Sequence, residues 1–194
     1  MRTRIDRRQQ ILEILARELE SHPGSRITTA ALARAVGVSE AALYRHFSSK
    51  AKMFEALIDF AEDSVFGLVS RILEKEPEVE ARCEQILKVL LGFSEKNPGI
   101  TRILLGDALV GENERLRIRV AKFFERIETQ IKQVLREANL SNGPRAAAGI
   151  DATASQMMAF TEGKMSQYVR SNFARKPAAA WDEQWTLFRN GLFR

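Results

Sequence analysis

Apolar residues along this chain recur at intervals of three and four rather than two, and no Asn-Gly or Asp-Gly turn lies between alternating apolar runs. The pattern predicts an all-α protein of about nine helices. Ile11, Leu15 and Leu19 form the stripe of a first helix, which ends near Ser21, before His22, Pro23 and Gly24. Thr28 is a capping residue for a short helix that buries Leu32 and Val36, and Gly37 suits the position just past its end. After a turn, Ser39 caps a second short helix, Glu40 to His46, with a carboxylate in its first turn where the helix dipole favours one.

Ser48 or Ser49 caps a longer helix with Met53, Leu57, Phe60 and Ser64 on one stripe, running to the acidic stretch before Pro77, which reads as a joint. Val79, Cys83, Ile86, Leu90 and Phe93 carry the next helix, and Asn97-Pro98-Gly99 ends it. Leu116, Val120, Phe123, Ile127, Ile131 and Val134 mark a long amphipathic helix that stops in the turn-rich cluster from Asn139 to Pro144. Ile150, Ala154, Met157, Thr161, Met165 and Tyr168 define the penultimate helix, and Trp181, Trp185, Phe188 and Leu192 the last. Met157, Met158, Met165, Trp181, Trp185 and Phe188 supply more apolar surface than one small body covers, which predicts a homodimer.

Composition narrows the function. The longest nearly apolar stretch, Ile86 to Phe93, is interrupted by Lys88 and falls far short of the ~20 residues that cross a bilayer. No apolar secretory segment follows the N-terminal arginines, so the expected location is the cytoplasm. Cys83 is the only cysteine, which excludes an internal disulfide, and it reads as a small buried hydrophobe. Two histidines far apart offer little to a metal, and no cofactor is expected. An enzyme is disfavoured. There is no Ser/His/Asp or Cys/His arrangement and no glycine-rich phosphate loop, and the cluster Asp59, Glu62, Asp63 has no histidine partner, as expected of a solvated helix surface.

The net charge of +5 is localised. Residues 1–54 hold ten basic and five acidic residues, leaving 20 of each sign in the remainder, so the whole excess sits in the first quarter. A basic module, 1–54, joined to a neutral body, 55–194, suggests a polyanion-binding head. Within the head, two short helices joined by Ala35-Val36-Gly37-Val38-Ser39 form a helix-turn-helix pattern. The glycine permits the tight turn, and the second helix, about 12 Å long, fits the DNA major groove.

Here the sequence resembles the TetR family of regulators. Val38 to Phe47, followed by Ser49-Lys50 and Phe54, is similar to the family's recognition helix and the start of its fourth helix. The resemblance implies that Thr28, Thr29, Tyr44, His46 and Lys50 meet the phosphate backbone, while Ser39, Glu40, Ala41 and Ala42 open the recognition helix, the last three at the base-reading positions. Arg26, Arg45 and the arginines before Arg8 would add phosphate or minor-groove contacts. For Thr28 the plain role of a cap stays open beside the phosphate role, and for His46 that of a packed or exposed ring. The family pairs its last two helices across a two-fold axis in a four-helix bundle, which implies a near-palindromic operator with half-sites about 34 to 36 Å apart.

The likeness continues through the body. Leu57 to Ser64, Leu91 to Gly99, Thr101-Arg102-Ile103-Leu104 and Phe124 to Glu128 resemble one branch of the family, the nucleoid-occlusion regulators. Such proteins, when bound to chromosomal sites, antagonise the tubulin-like division protein FtsZ, whose extended C-terminal tail docks between the fourth and fifth helices. Carried over by match, Phe60, Gly92, Lys96 and Asn97 would receive that tail. Ordinary roles stay open, Phe60 in a core and Asn97 in a turn. Leu68 departs from the branch pattern, which has an arginine there; Arg71 is a candidate substitute. The alternative is a ligand-responsive TetR repressor, in which a small molecule enters the body and alters the separation of two DNA heads.

Overall fold

Side-chain caps set the limits of the first helices. The computed structural model describes residues 6–140 and 144–194, so Arg2, Arg4 and part of the Asn139 to Pro144 cluster lie outside the described residues. In α1 (Arg7–Ser21), Asp6 accepts from the Arg8 amide. In α2 (Thr29–Val36), Thr28 Oγ1 accepts from Ala31 N at 3.1 Å, and Gly37 closes the helix at φ 76°, a conformation that costs a residue with a Cβ. In α3 (Glu40–His46), Ser39 Oγ accepts from Ala42 N at 3.2 Å. There follow α4 (Lys50–Lys75), α5 (Val79–Lys96), α6 (Pro98–Leu104), a single 3₁₀ turn (Asp107–Leu109), α7 (Glu114–Leu140), α8 (Ile150–Arg170) and α9 (Trp181–Leu192). Among the described residues the β pairing is one isolated bridge, Ala146 with Phe193.

Two compact units result: residues 1–61 with 97–120, and residues 62–96 with 121–194. The acidic stretch before Pro77 is therefore not a joint. The chain passes from one unit to the other inside α4, between α5 and α6, and inside α7.

In the first unit Ile11, Leu15, Leu19, Leu32, Leu43, Phe47 and Phe54 are buried, each contributing about 1.5–3 kcal/mol by leaving water. Helix α6 packs against α1, and Gly99 makes that approach possible, since a Cβ there would lie 2.0 Å from the Ala16 carbonyl oxygen. The proline that ends α5 also opens α6, where its missing N–H goes unfelt. Arg102 is 1% exposed yet fully employed: its guanidinium donates to Leu19 O at 2.6 Å, to His22 O at 3.0 Å and to Asp107. It thereby caps the carbonyl end of α1.

In the second unit α5 packs on α8, burying Cys83, Ile86, Leu90, Met157 and Met165. Desolvation pushes the Cys83 thiol up to about 12, so it is an inert packing group. Met157, Met158, Met165, Trp181 and Trp185, expected to supply uncovered apolar surface, are all buried within this single chain. Trp181 and Trp185 stack with centroids 5.8 Å apart, Trp181 Nε1 donates to Glu84 at 2.8 Å, and half-buried Phe188 stacks on Phe160 at 4.4 Å. The apolar surplus read from sequence is absorbed by contacts among α5, α8 and α9. The residues that α8 leaves in water include the small and polar Ala152, Ser155, Gln156 and Ala159, and on α9 Leu187 is 77% exposed, among polar residues such as Asp182, Glu183 and Thr186.

Candidate nucleic-acid interface

The buried side chains of α2 and α3, Leu32, Val36 and Leu43, hold the two helices together and leave their polar positions outward. Arg26, Thr28, Ser39, Glu40, Ala41, Tyr44, Arg45 and His46 are exposed, and Thr29, Ala42 and Lys50 are half-buried. An exposed tyrosine of 44% beside Arg45 and His46, on a helix end, gives one cationic and two hydrogen-bonding groups to a single strip of surface. Thr28 spends its hydroxyl oxygen on the cap, while its O–H can still donate.

Two features were not legible in the sequence. Thr29 Oγ1 donates to Glu40 Oε2 at 2.8 Å, so the first candidate base reader of α3 is held by the start of α2. Arg8 lies with its guanidinium 4.1 Å from the Phe47 ring centroid and donates to the His46 carbonyl at 2.9 Å, fixing the C-terminal end of α3. Neither contact has a periodic signature. Lys50, matched to a phosphate contact, has its ammonium 2.6 Å from Glu112 Oε1 with 15% side-chain exposure. Arg26 reaches the same carboxylate oxygen at 3.5 Å. The structure thus unites Arg26 and Lys50 through a residue that sequence reasoning passed over.

The residues matched to a tail site are distributed as follows. Phe60 is 47% exposed on α4, a large aromatic surface in water. On α5, Gly92 is half-buried with open space where a Cβ would stand, and Lys96 is exposed. Asn97 precedes α6 at its N-cap position without a side-chain cap bond. Leu68 is 43% exposed and Arg71 is exposed, both on α4. The acidic cluster is engaged: Asp59 pairs with Arg119 and Glu62 with Arg126.

Within the second unit an open cavity of about 380 Å³ lies beside α8, lined among others by Phe160, Lys164, Arg175 and Gln184. Desolvation and the neighbouring Arg175 charge lower the Lys164 pKa, and its ammonium donates to Gln184 Oε1 at 2.5 Å. Among the described residues no group of His, Cys, Asp and Glu is placed to hold a metal ion, and no helix is long and apolar enough to cross a membrane.

Comparison with known proteins bears on both units. Residues 11–57 match the family described as bacterial regulatory proteins, tetR family, and residues 78–193 match the SlmA-like family described as tetracyclin repressor-like, C-terminal domain. The nucleoid occlusion factor SlmA of Marinomonas sp. is 58% identical over 187 residues, covering 96% of this chain and 95% of the relative. That of Alteromonas mediterranea is 55% identical over 184 residues, covering 95% and 94%. Among solved structures, the MbdR regulator from Azoarcus sp. superposes with a TM-score of 0.80 at 17% identity, covering 95% of this chain and 97% of that one. The ketosteroid transcriptional regulator KstR2 of Mycobacterium tuberculosis gives 0.78 at 17% identity, with 99% and 97% covered. At such identities these structures attest the fold alone.

Proposed function

Because this chain belongs to the SlmA family of nucleoid occlusion factors, within the TetR-type regulators, we propose that it binds chromosomal sites and, when bound, antagonises FtsZ assembly over the nucleoid. The observation that carries this reading is the match through residues 78–193, the part in which TetR-type regulators otherwise have little in common. A family of DNA-binding regulators is not an enzyme class, and the chemistry asked of the chain is recognition.

The head meets DNA with α3 in the major groove. Tyr44, Arg45 and His46 contact phosphates, joined by the start of α2 at Thr28 and Thr29 and by Arg26 and Lys50. Glutamate at 40 and alanines at 41 and 42 give sparse base readout, so most of the affinity is electrostatic, falling with salt by about 0.9 in log K per log salt for each phosphate neutralised. The protein accordingly works on the nucleoid in the cytoplasm.

A homodimer presents two heads to a near-palindromic site. The faces that pair are those of α8 and α9, the helices that carry Met157, Met158, Met165, Trp181, Trp185 and Phe188, with small outer residues of α8 permitting close approach and Leu187 of α9 exposed. Sedimentation at micromolar concentration is expected to give twice the mass of one chain; a single-chain mass contradicts the pairing.

Phe60, Gly92, Lys96 and Asn97 receive the extended FtsZ tail, with the Phe60 ring as an apolar seat and Lys96 as a partner for acidic groups. Gly92 offers a clean probe, since a Cβ there meets nothing within 4 Å. Gly92→Glu adds bulk and a negative charge. It is expected to weaken tail-peptide binding at least about tenfold, or 1.4 kcal/mol, while DNA affinity stays at the parent value. Fluorescence polarisation of the labelled tail peptide, with DNA binding as the folding control, makes the measurement; equal tail binding by both proteins removes these residues from the tail site.

A further inference from the structure

Two of the cations assigned to DNA are held by one carboxylate. Glu112 is 8% exposed at its side chain, with Oε1 2.6 Å from Lys50 Nζ and 3.5 Å from Arg26 Nε. Arg26 Nη2 also donates to the Gly111 carbonyl at 3.3 Å. The position of this carboxylate is set by backbone. The connection from α6 to α7 turns at Gly106 (φ 78°) and Gly111 (φ 75°), which only glycine adopts at little cost, and is anchored by Leu109, fully buried. The Glu112 amide donates to the Leu109 carbonyl at 3.1 Å.

The two cations stand where the reading above puts phosphate contacts. Arg26 lies two residues before the cap of α2, and Lys50 is the first residue of α4. An anionic oxygen held at ion-pair distance by both is the same chemical offer that a DNA phosphate makes, and Lys50 cannot serve both anions fully. We propose that Glu112 is a built-in stand-in for a DNA phosphate: it neutralises Lys50 and Arg26 in the free protein and competes with the DNA backbone for Lys50. The inference rests on the DNA-binding reading.

The pair of cations makes the exchange feasible. A buried carboxylate left without a partner is costly, but Arg26, 67% exposed, can remain on Glu112 while the flexible Lys50 stem turns to a phosphate. DNA occupancy is then felt at the connection 105–113, whose Asp107 is bonded to Arg102 and so to the end of α1.

The test is a cycle of parent, Glu112→Gln, Lys50→Gln and the double variant, binding duplex DNA of mixed sequence by anisotropy across a salt series, with thermal melts alongside. Glu112→Gln is expected to bind about three- to fivefold more tightly at moderate salt, with a salt slope steeper by about one. That gain disappears in the double variant, because it acts through Lys50. A folded Glu112→Gln protein that binds no more tightly, or a gain that persists undiminished without Lys50, overturns the proposal and leaves Glu112 a structural brace. A parent that shows no salt-dependent DNA binding overturns the DNA reading itself. Should Glu112→Gln not fold, hydrogen exchange on the parent decides: amides from Gly106 to Asn113 exchange faster with DNA bound, and unchanged or slower exchange contradicts the competition.

Discussion

Gly99→Ala is expected to be among the most damaging single-methyl additions to the first unit. The added Cβ would stand 2.0 Å from Ala16 O, 3.0 Å from Ala16 C and 3.1 Å from Glu20 N. All three are backbone atoms of α1, so no side chain can swing aside, and α6 must separate from α1. Overpacking of this kind costs about 1–3 kcal/mol where the surroundings relax, and more where, as here, two helix backbones are in contact. The expected result is a loss of about 3 kcal/mol or more, visible as a melting temperature lower by roughly 6–12 °C for a chain of this size. DNA binding should fall with it, because α1 carries Leu15 and Leu19 into the core beneath α2 and α3. Gly92→Ala, a substitution into open space, is the matched control and should melt close to the parent.

Arg102→Met should be nearly as severe for a different reason. Methionine keeps an unbranched stem but leaves the carbonyls of Leu19 and His22 without their donor, and Asp107 without its partner. Leaving those carbonyls without a donor costs about 1–3 kcal/mol each where water cannot reach them, and Asp107, 40% exposed, adds less because water can take the place of its partner. Urea unfolding followed by circular dichroism makes the comparison. The double variant Arg102→Met, Asp107→Asn separates the terms: it should recover the part due to the orphaned carboxylate, and the part due to the α1 carbonyls should remain. An Arg102→Met protein as stable as the parent would show that water can take the guanidinium's place at the end of α1.

The contrast between what the sequence announces and what it hides follows the same physics. Thr28, Gly37 and Ser39 act within three residues of themselves, so the helix-turn-helix could be read with its bounds. The stripes of α5, α7, α8 and α9 were legible because each helix has one wet side. Helix α6 was not read. It is seven residues long, Asn97-Pro98-Gly99 looks like a stop, and Gly99, Ile100, Thr101, Arg102, Ile103 and Leu104 are all buried, so no apolar period stands out. Arg102 and Lys50 were hidden for a related reason. A cation in a sequence reads as a solvated charge, and only the fold brings to it Leu19, 83 positions away, or Glu112, 62 positions away. The tryptophans of α9 mark the same limit, since a large apolar residue does not say whether its own chain or a second copy covers it.

If DNA-loaded protein opposes FtsZ assembly, sedimentation of FtsZ polymers shows it. Purified FtsZ is assembled with nucleotide, the protein is added with or without duplex DNA carrying its site, and the pelleted fraction is compared. The expected result is a clear fall in pelleted FtsZ with protein and DNA together and a smaller one with protein alone. Equal pellets in all three conditions, from protein shown to bind that DNA, would contradict it.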